Sequence, residues 1–572
     1  MKIFTARARA FFPLPGTTSN GCRYHKKGMP VIIEKRSAET TNKNHKGLCE
    51  SDHFGFLVVL LLLFASSCRG PVSGASFSAP VEMFFTLDST KVGISTIAKG
   101  QEVPWEITWG PDNWIWMTEQ KGTVSKLNPR TGQKVVMLEL EDIYLRTTPG
   151  LLGMDIHPDQ EKFPYIFLLY NSTEEENRIA LNLVRYKVEQ DTLVDPEILL
   201  ELPGGRGHNG SRVTISPEGK VVVATGDAAN DENAQNVRSF GGKILRLNID
   251  GSIPEDNPLP GSPVWAWGYP NPQGLTFSGR GIMYASDHGE ATDDEINLVR
   301  KGKNYGWPAV EGFCDTPGEE AFCADSSVTE PIKAWTPTIA PAGIAYYGSE
   351  EIPEWKNSLI LTTLKNASLH ILSLSRQGTT IGEENIVLEK VFGRLRDVCV
   401  SPAGDIYVST SNRDWKPQEN FPIPEDDRIL RLSKISESEQ LKGIKSLREM
   451  VSDSIGSFSE NLSEGTLIYQ KHCASCHMPS GGGIPGTFPP LSESAVVTGD
   501  KEDLIATVLT GVPPAAAEDD SDYPQPMPAF DFLSDGEIAL ILTYIRSHLD
   551  NSASDVSAAE VERVRTGRSG LE

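Results

Sequence analysis

Between residues 104 and 433 the chain alternates apolar and polar positions in short runs, and no long stretch carries helical periodicity. Turns rich in Pro, Asp or Gly open each run, and a β-branched strand follows. The clearest copies are "PDNWIWMTEQKGTVSKLNP" from Pro111, "SPEGKVVVATGD" from Ser216 and "SPAGDIYVSTS" from Ser401. Weaker copies read "HPDQEKFPYIFLLY", "FSGRGIMYASD" and "PEWKNSLILTTLKNASLHIL". The turn markers Pro111, Pro158, Pro217, Ser278, Pro353 and Pro402 stand 47, 59, 61, 75 and 49 residues apart. Strand-length units repeating on that scale predict an all-β six-bladed propeller over residues 85–433. A sandwich needs fewer strands, and a parallel α/β fold needs helices this region lacks.

The pattern changes on either side. Residues 434–463 are charged and Ser-rich, a linker with one short helix expected in "SEQLKGIKSLREMV". A small all-α domain is expected over 464–549. Its last helix is marked by Ser534 and Glu537 as a capping box, then Ile538, Ile541, Leu542 and Ile545 at helical spacing. Residues 550–572 read as a disordered polar tail. Near the start, residues 54–65 ("FGFLVVLLLLFA") are apolar, but too short for a span of ~20 residues. Ser66, Ser67 and Cys68 follow, so residues 1–68 are expected to be an exported chain's leader. The "ASSC" end resembles a bacterial lipoprotein signal, which implies a lipidated Cys68 and membrane attachment; simple cleavage is the alternative. The leader is long for a signal, and a start at Met29 is a second alternative.

Composition adds a charge and a compartment. The 572 residues carry a formal charge of −24, and the leader alone holds ten Lys+Arg against four Asp+Glu. Without the leader the balance is about −30, a surface that repels phosphate backbones and argues against nucleic acid as a partner. Cys314 and Cys323 flank a polar stretch and suit a short disulfide loop in an oxidising compartment. Cys399, in the strand-like "RDVCVSP", reads as a buried, inert thiol. Together with the leader, these features imply a periplasmic location.

The stretch "KHCASCHMPS" contains Cys473-x-x-Cys476-His477, two thiols and an imidazole at the spacing that holds a c-type haem covalently. Residues 464–549 resemble class I cytochromes c. That resemblance implies thioethers at Cys473 and Cys476, His477 as one axial ligand to iron and Met527, in "YPQPMPAF", as the other. A thiol redox pair is the rival reading of the two cysteines.

In the propeller, "GRGHNGSRVTISPEGKVVVATGD" places His208 in a Gly-rich turn and Asp227 at the end of the next strand, so that the carboxylate can orient the imidazole as a general base. "GKILRLNIDGSIPEDNP", "NPQGL", "DDEINLV", "NYGWP", "TPTIAPAGIAYY", "LTTLKNASL" and "GRLRDV" follow in that order. Over residues 100–433 this set resembles the soluble quinoprotein glucose/sorbosone dehydrogenases, propellers that oxidise aldoses with pyrroloquinoline quinone (PQQ). The resemblance implies that His208 takes the proton of the sugar's anomeric hydroxyl and Asp227 orients it. It further implies that Asn271 and Gln273 hydrogen-bond the quinone and that Lys365, Arg394 and Arg396 supply positive charge. Calcium is implied at Gly289 and Glu290, with a second, structural calcium at Asp294, Glu295 and Tyr305. One position departs from the family: Pro270 stands where an Arg usually precedes the Asn of "NPQGL". The expected function is PQQ-dependent oxidation of an aldose or related polyol. Electrons would pass through haem c to an external acceptor such as a soluble cytochrome. The alternative is a non-enzymatic, glycan-binding propeller beside a cytochrome shuttle.

Overall fold

The computed structural model describes residues 79–568 apart from 174–177, 291, 415–417, 419, 436–440, 442, 450–463, 479, 484–487, 513–522 and 524–526. The leader, with Met29 and Cys68, and most of the linker lie outside the described residues. Six antiparallel sheets are described, five of them each built from consecutive strands. Their first strands are Pro104–Trp109, Leu151–Ile156, Gly210–Ile215, Asn271–Phe277, Pro341–Tyr347 and Leu395–Val400. These pack against one another in a closed cycle around the axis of a six-bladed propeller. Each turn marker named above falls in the link between a blade's first and second strands.

The sixth blade closes the ring. Its order is Met83–Thr86, Lys91–Ala98, Ile429–Lys434, Ile406–Thr410, Leu395–Val400, so the chain's first strands complete its last sheet. Ile94 pairs with Leu432 and Val92 with Lys434. Pairing an early strand with the latest one closes the sixth sheet and with it the ring. The core lies between neighbouring sheets, where β-branched and Leu side chains such as Val221, Val223, Leu245 and Leu247 are fully buried.

All six first strands carry a β-bulge within their first four residues. A bulge inserts one unpaired residue and re-aims the side chains around it. The six bulges sit at the same end of the channel, which prepares that mouth for chemistry.

Residues from Glu464 onward form a helical unit. Helices Glu464–His472, Lys501–Thr510 and Asp535–Ser547 surround a core of Ile505, Ile538, Ile541, Leu542 and Ile545. Ser534 caps the last of these: its hydroxyl accepts from the Glu537 N–H, and Glu537 accepts from the Ser534 N–H at 2.9 Å. The expectation of a disordered tail over 550–572 is corrected here. Residues Ala558–Arg568 are helical, Val556 and Val561 are buried in the unit's core, and Arg565 bonds Asp535 at 2.7 Å. Two valines and an arginine clamp anchor a helix whose other residues are mostly polar. No helix among the described residues is long and apolar enough to cross a membrane.

Candidate active site

Two connections of the third blade meet at the bulged mouth. His208 sits just before the strand Gly210–Ile215, and Asp227 just after the strand Val221–Thr225. The imidazole Nδ1 lies 3.1 Å from Asp227 Oδ1. Asp227 is fully buried and also accepts the Ala229 N–H at 2.8 Å and the Trp307 indole N–H at 2.8 Å. Its own N–H donates to the Pro270 carbonyl at 2.9 Å. An acceptor so fixed sets the tautomer with the proton on Nδ1 and leaves Nε2 as the base. The His208 side chain keeps one third of its surface exposed, 33 %. Burial alone lowers its basicity. The hydrogen bond and charge of Asp227, helped by Glu290 and Asp231, outweigh that and raise its pKa.

This geometry stores backbone strain. His208, Ser211, Ala228 and Ala229 all have positive φ, between 48° and 75°, a conformation costing non-glycine residues about 1–3 kcal/mol each. Gly226 must lack a side chain, because a Cβ there would overlap the His208 carbonyl.

Across the mouth, Arg394 and Arg396 are each 6 % exposed. Two residues apart in extended chain, they are expected to share a face, and the rival expectation was a solvated or blade-edge pair. Here both are buried, and Leu395 pairs with Thr410 and Asp397 with Ser409, leaving Arg396 as the extra residue of a bulge. Both guanidiniums then reach one carboxylate, Asp414 Oδ2, at 3.3 and 2.5 Å. Arg396 also donates to Gln273 Oε1 at 3.3 Å, while its Nε is buried without a partner. Burial, followed by the attraction of Asp414 and the repulsion of Arg396, leaves the Arg394 pKa lowered. Two buried cations sharing one such anion suit a ligand with several carboxylates.

Below them lies a layer the sequence did not disclose. Arg212 donates to Asp397 at 3.0 Å and pairs with Glu106, and its Nε donates to the Gln273 carbonyl at 2.9 Å. Gly343 clears room for it, since a Cβ there would overlap the Asp397 carboxylate. This plug joins four first strands and carries Gln273. Asn271 is likewise committed to protein: its Oδ1 accepts from Gly210 N–H and Gln273 Nε2, both at 3.0 Å. Lys365 is half-buried and donates to Thr338 Oγ1 at 2.7 Å. Trp307, Arg212, Asp397 and Gly343 stood in quoted motifs without a role; Asp414 and Glu106 gave no local signal.

At the second expected calcium site the side chains go to separate partners. Asp294 and Glu295 are adjacent on the strand Asp294–Val299, so their side chains leave from opposite faces. Asp294 accepts backbone N–H groups of Gly289, Ile339 and Ala340. Glu295 accepts from Asn297 and Gly312, and the Tyr305 hydroxyl donates to the Leu298 carbonyl at 2.7 Å. Burial first, against those hydrogen bonds, pushes the two carboxyls up to about 7 and about 8. Among the described residues no three His, Cys, Asp or Glu side chains converge as a metal cluster. Glu290 is exposed at the mouth beside Gly289.

In the helical unit, Cys473 immediately precedes the short helix Ala474–His477 and Cys476 lies within it, and neither forms a disulfide. His477 is buried, with Nδ1 2.9 Å from the Pro489 carbonyl. That carbonyl holds the Nδ1 proton and leaves Nε2 available as a metal ligand. Met527 and Cys473 pack on the same apolar core. The donor set fits a c-type haem. Elsewhere, Cys314 and Cys323 are disulfide-bonded with Cα atoms 6.5 Å apart. Cys399 is a buried thiol whose pKa burial raises well above its ordinary value.

A strained His–Asp base, a pair of buried guanidiniums and a Cys-x-x-Cys-His unit define an oxidoreductase propeller joined to a cytochrome c. Comparison makes this particular: residues 101–416 match Glucose / Sorbosone dehydrogenase and residues 462–549 match Cytochrome c, and the chain belongs to the glucose/sorbosone dehydrogenase family. Quinoprotein glucose dehydrogenase B of Acinetobacter calcoaceticus is 29% identical over 408 residues, covering 56% of this chain and 84% of its own length. The PQQ-bound aldose sugar dehydrogenase (Adh) of Streptomyces coelicolor superposes with TM-score 0.53 at 29% identity, over 60% of this chain and 99% of that one. The fructose dehydrogenase cytochrome subunit of Gluconobacter japonicus is 35% identical over 112 residues, 18% of this chain and 22% of that subunit. Family membership sets aside the non-enzymatic propeller, and the cytochrome match sets aside the thiol redox pair.

Proposed function

We propose that this dehydrogenase oxidises an aldose or related polyol with PQQ, and that its haem c passes the electrons to an external acceptor such as a soluble cytochrome. The observation that carries the reading is the His208–Asp227 pair facing the same mouth as Arg394 and Arg396. PQQ, when bound, supplies a two-electron acceptor, and haem c a one-electron relay. His208 Nε2 takes the proton of the anomeric hydroxyl while Nδ1–H stays on Asp227. Trp307 holds the far oxygen of Asp227 and stops the carboxylate from turning. Arg394, Arg396 and Lys365 bind the cofactor's carboxylates and favour negative charge at its ring. Gln273 and Asn271 line the mouth between them. Pro270 contributes only its carbonyl, to the Asp227 N–H, so the guanidinium pair carries the positive charge that relatives also place at that position.

Calcium at Gly289 and Glu290 belongs to the same reading: burial and the charge of Asp231 raise the Glu290 pKa, a strain that a cation relieves. Cys473 and Cys476 hold the haem, with His477 and Met527 as its axial ligands. Export to the periplasm fits the Cys314–Cys323 disulfide.

The test uses haem-loaded protein purified without PQQ. After PQQ and calcium are added, haem reduction is followed with a panel of aldoses and polyols. At least one sugar should reduce the haem, and His208→Ala should abolish that reduction with the haem spectrum intact. No reduction by any sugar would sink the proposal.

A further inference from the structure

Residues 226–242 join two neighbouring strands of the third blade. Hairpin connections usually take about 2–5 residues, so this one is a cap rather than a turn. It folds over the back of the catalytic pair and is tied there at several points. Asn233 Nδ2 donates to the Asp227 carbonyl at 2.9 Å, Gln235 Nε2 donates to the Trp307 carbonyl at 2.6 Å, and Gly242 N–H donates to the Gly226 carbonyl at 2.8 Å.

Beneath the cap lies Lys243, with no exposed surface. Its ammonium donates to the carbonyls of Asn233, Ala234 and Gly241 at 2.6, 2.9 and 2.7 Å. Three protons meet three acceptors, and each acceptor belongs to the cap. Two of the carbonyls close the short helix Glu232–Gln235, where a cation is favoured. A buried lysine is rare without a paired anion.

We infer that Lys243 is a positioning residue, a buried cation that fixes the cap and holds Asp227 as the carboxylate that orients His208. The inference rests on His208 being the base. Among the described residues Asp227 is the charge that acts on Lys243; burial lowers the lysine's pKa to about 7 and Asp227 opposes that. Facing His208 are Asp227, Glu290 and Asp231, and from the fourth blade His288. Glu232 and Arg238 lie on the cap's exposed side.

Lys243→Met keeps the stem and removes the charge. Losing a cation beside Asp227 makes the imidazolium easier to form, so the His208 pKa rises by about half to one unit. The base works only when neutral, so activity is lost first at low pH and the acid limb of the rate profile moves up by the same amount. Two readouts are taken. One is NMR titration of carbon-labelled histidine in haem-loaded protein without PQQ, with His208 assigned by His208→Gln. The other is the pH dependence of sugar-driven haem reduction after PQQ is added. A loosened cap with no electrostatic role would lower the rate at every pH and leave the His208 titration in place, which overturns the inference.

Should Lys243→Met not fold, Asn233→Ala keeps the lysine and cuts the tie to Asp227. The rate should then fall about tenfold with a displaced His208 titration, and an unchanged rate and titration overturn the inference. If wild-type protein fails to reduce haem with any sugar, the base role fails, while the NMR titration still decides whether Lys243 is coupled to the His–Asp pair.

Discussion

Replacing Asp227 by Asn tests the base most directly. The substitution keeps the shape and removes the charge that His208 Nδ1 meets at 3.1 Å. Asp227 supplies the two largest influences raising the His208 pKa, against burial, which lowers it. A charge-assisted hydrogen bond is worth about 1.5–3 kcal/mol, and a pKa unit about 1.4 kcal/mol. The His208 pKa should therefore fall by about one to two units. Because the base acts as neutral imidazole, a lower pKa carries the acid limb of the rate profile to lower pH. The plateau should drop at the same time, by about 10²–10⁴-fold, because the imidazole is less basic and an amide can hold the wrong tautomer. The assay is stopped-flow haem reduction by the best sugar of the panel, from about pH 5 to pH 9. An acid limb that stays where it was, or moves up, would falsify the assignment of Asp227 as the partner that tunes His208.

Other outcomes follow from the same geometry. Arg396→Lys cannot reach Asp414 and Gln273 together, and titration of the cofactor-free protein with PQQ should show affinity at least ~10-fold weaker. Met527→Ala should lower the haem potential in a redox titration, since a thioether opposite histidine raises it; an unchanged potential would remove Met527 as ligand. Ending the chain after residue 549 exposes the faces that Val556 and Val561 cover. At ~1.5–3 kcal/mol for each buried valine, the melting temperature of the haem unit should fall by several degrees. Equal melting with and without the last helix would count against its packing role.

The legible part of this molecule was its punctuation. Pro-Asp, Pro-Glu-Gly and Pro-Ala-Gly turns mark where each blade's first hairpin reverses, and turn chemistry is local, so the six units appear in the sequence. The Ser534–Glu537 cap was legible for the same reason. Bulges were not, because the pairing register that defines them is set by the partner strand. Arg394 and Arg396, two residues apart, read as sharing a face, but the buried carboxylate of Asp414 that both reach could not be read from their own strand. At Asp294 and Glu295 the pleat sends neighbours in sequence to different partners. The helix Ala558–Arg568 was missed because its anchor is two valines and an arginine in a polar stretch. The Arg212 plug joins residues from four blades, and no window of sequence contains it.

Ring closure has a consequence for the order of events in the cell. The strand Lys91–Ala98 is made early in synthesis, yet its partner Ile429–Lys434 emerges only after the other blades. Contacts that distant in the chain form late. Arg394, Arg396 and Asp414 belong to the same clasped blade, so the cationic cradle matures only when the two ends of the circle join. Removing residues 83–98 should cost the protein its hold on PQQ, measured by equilibrium dialysis, as well as one edge of a sheet. A newborn chain therefore lacks the cradle until the wheel is shut.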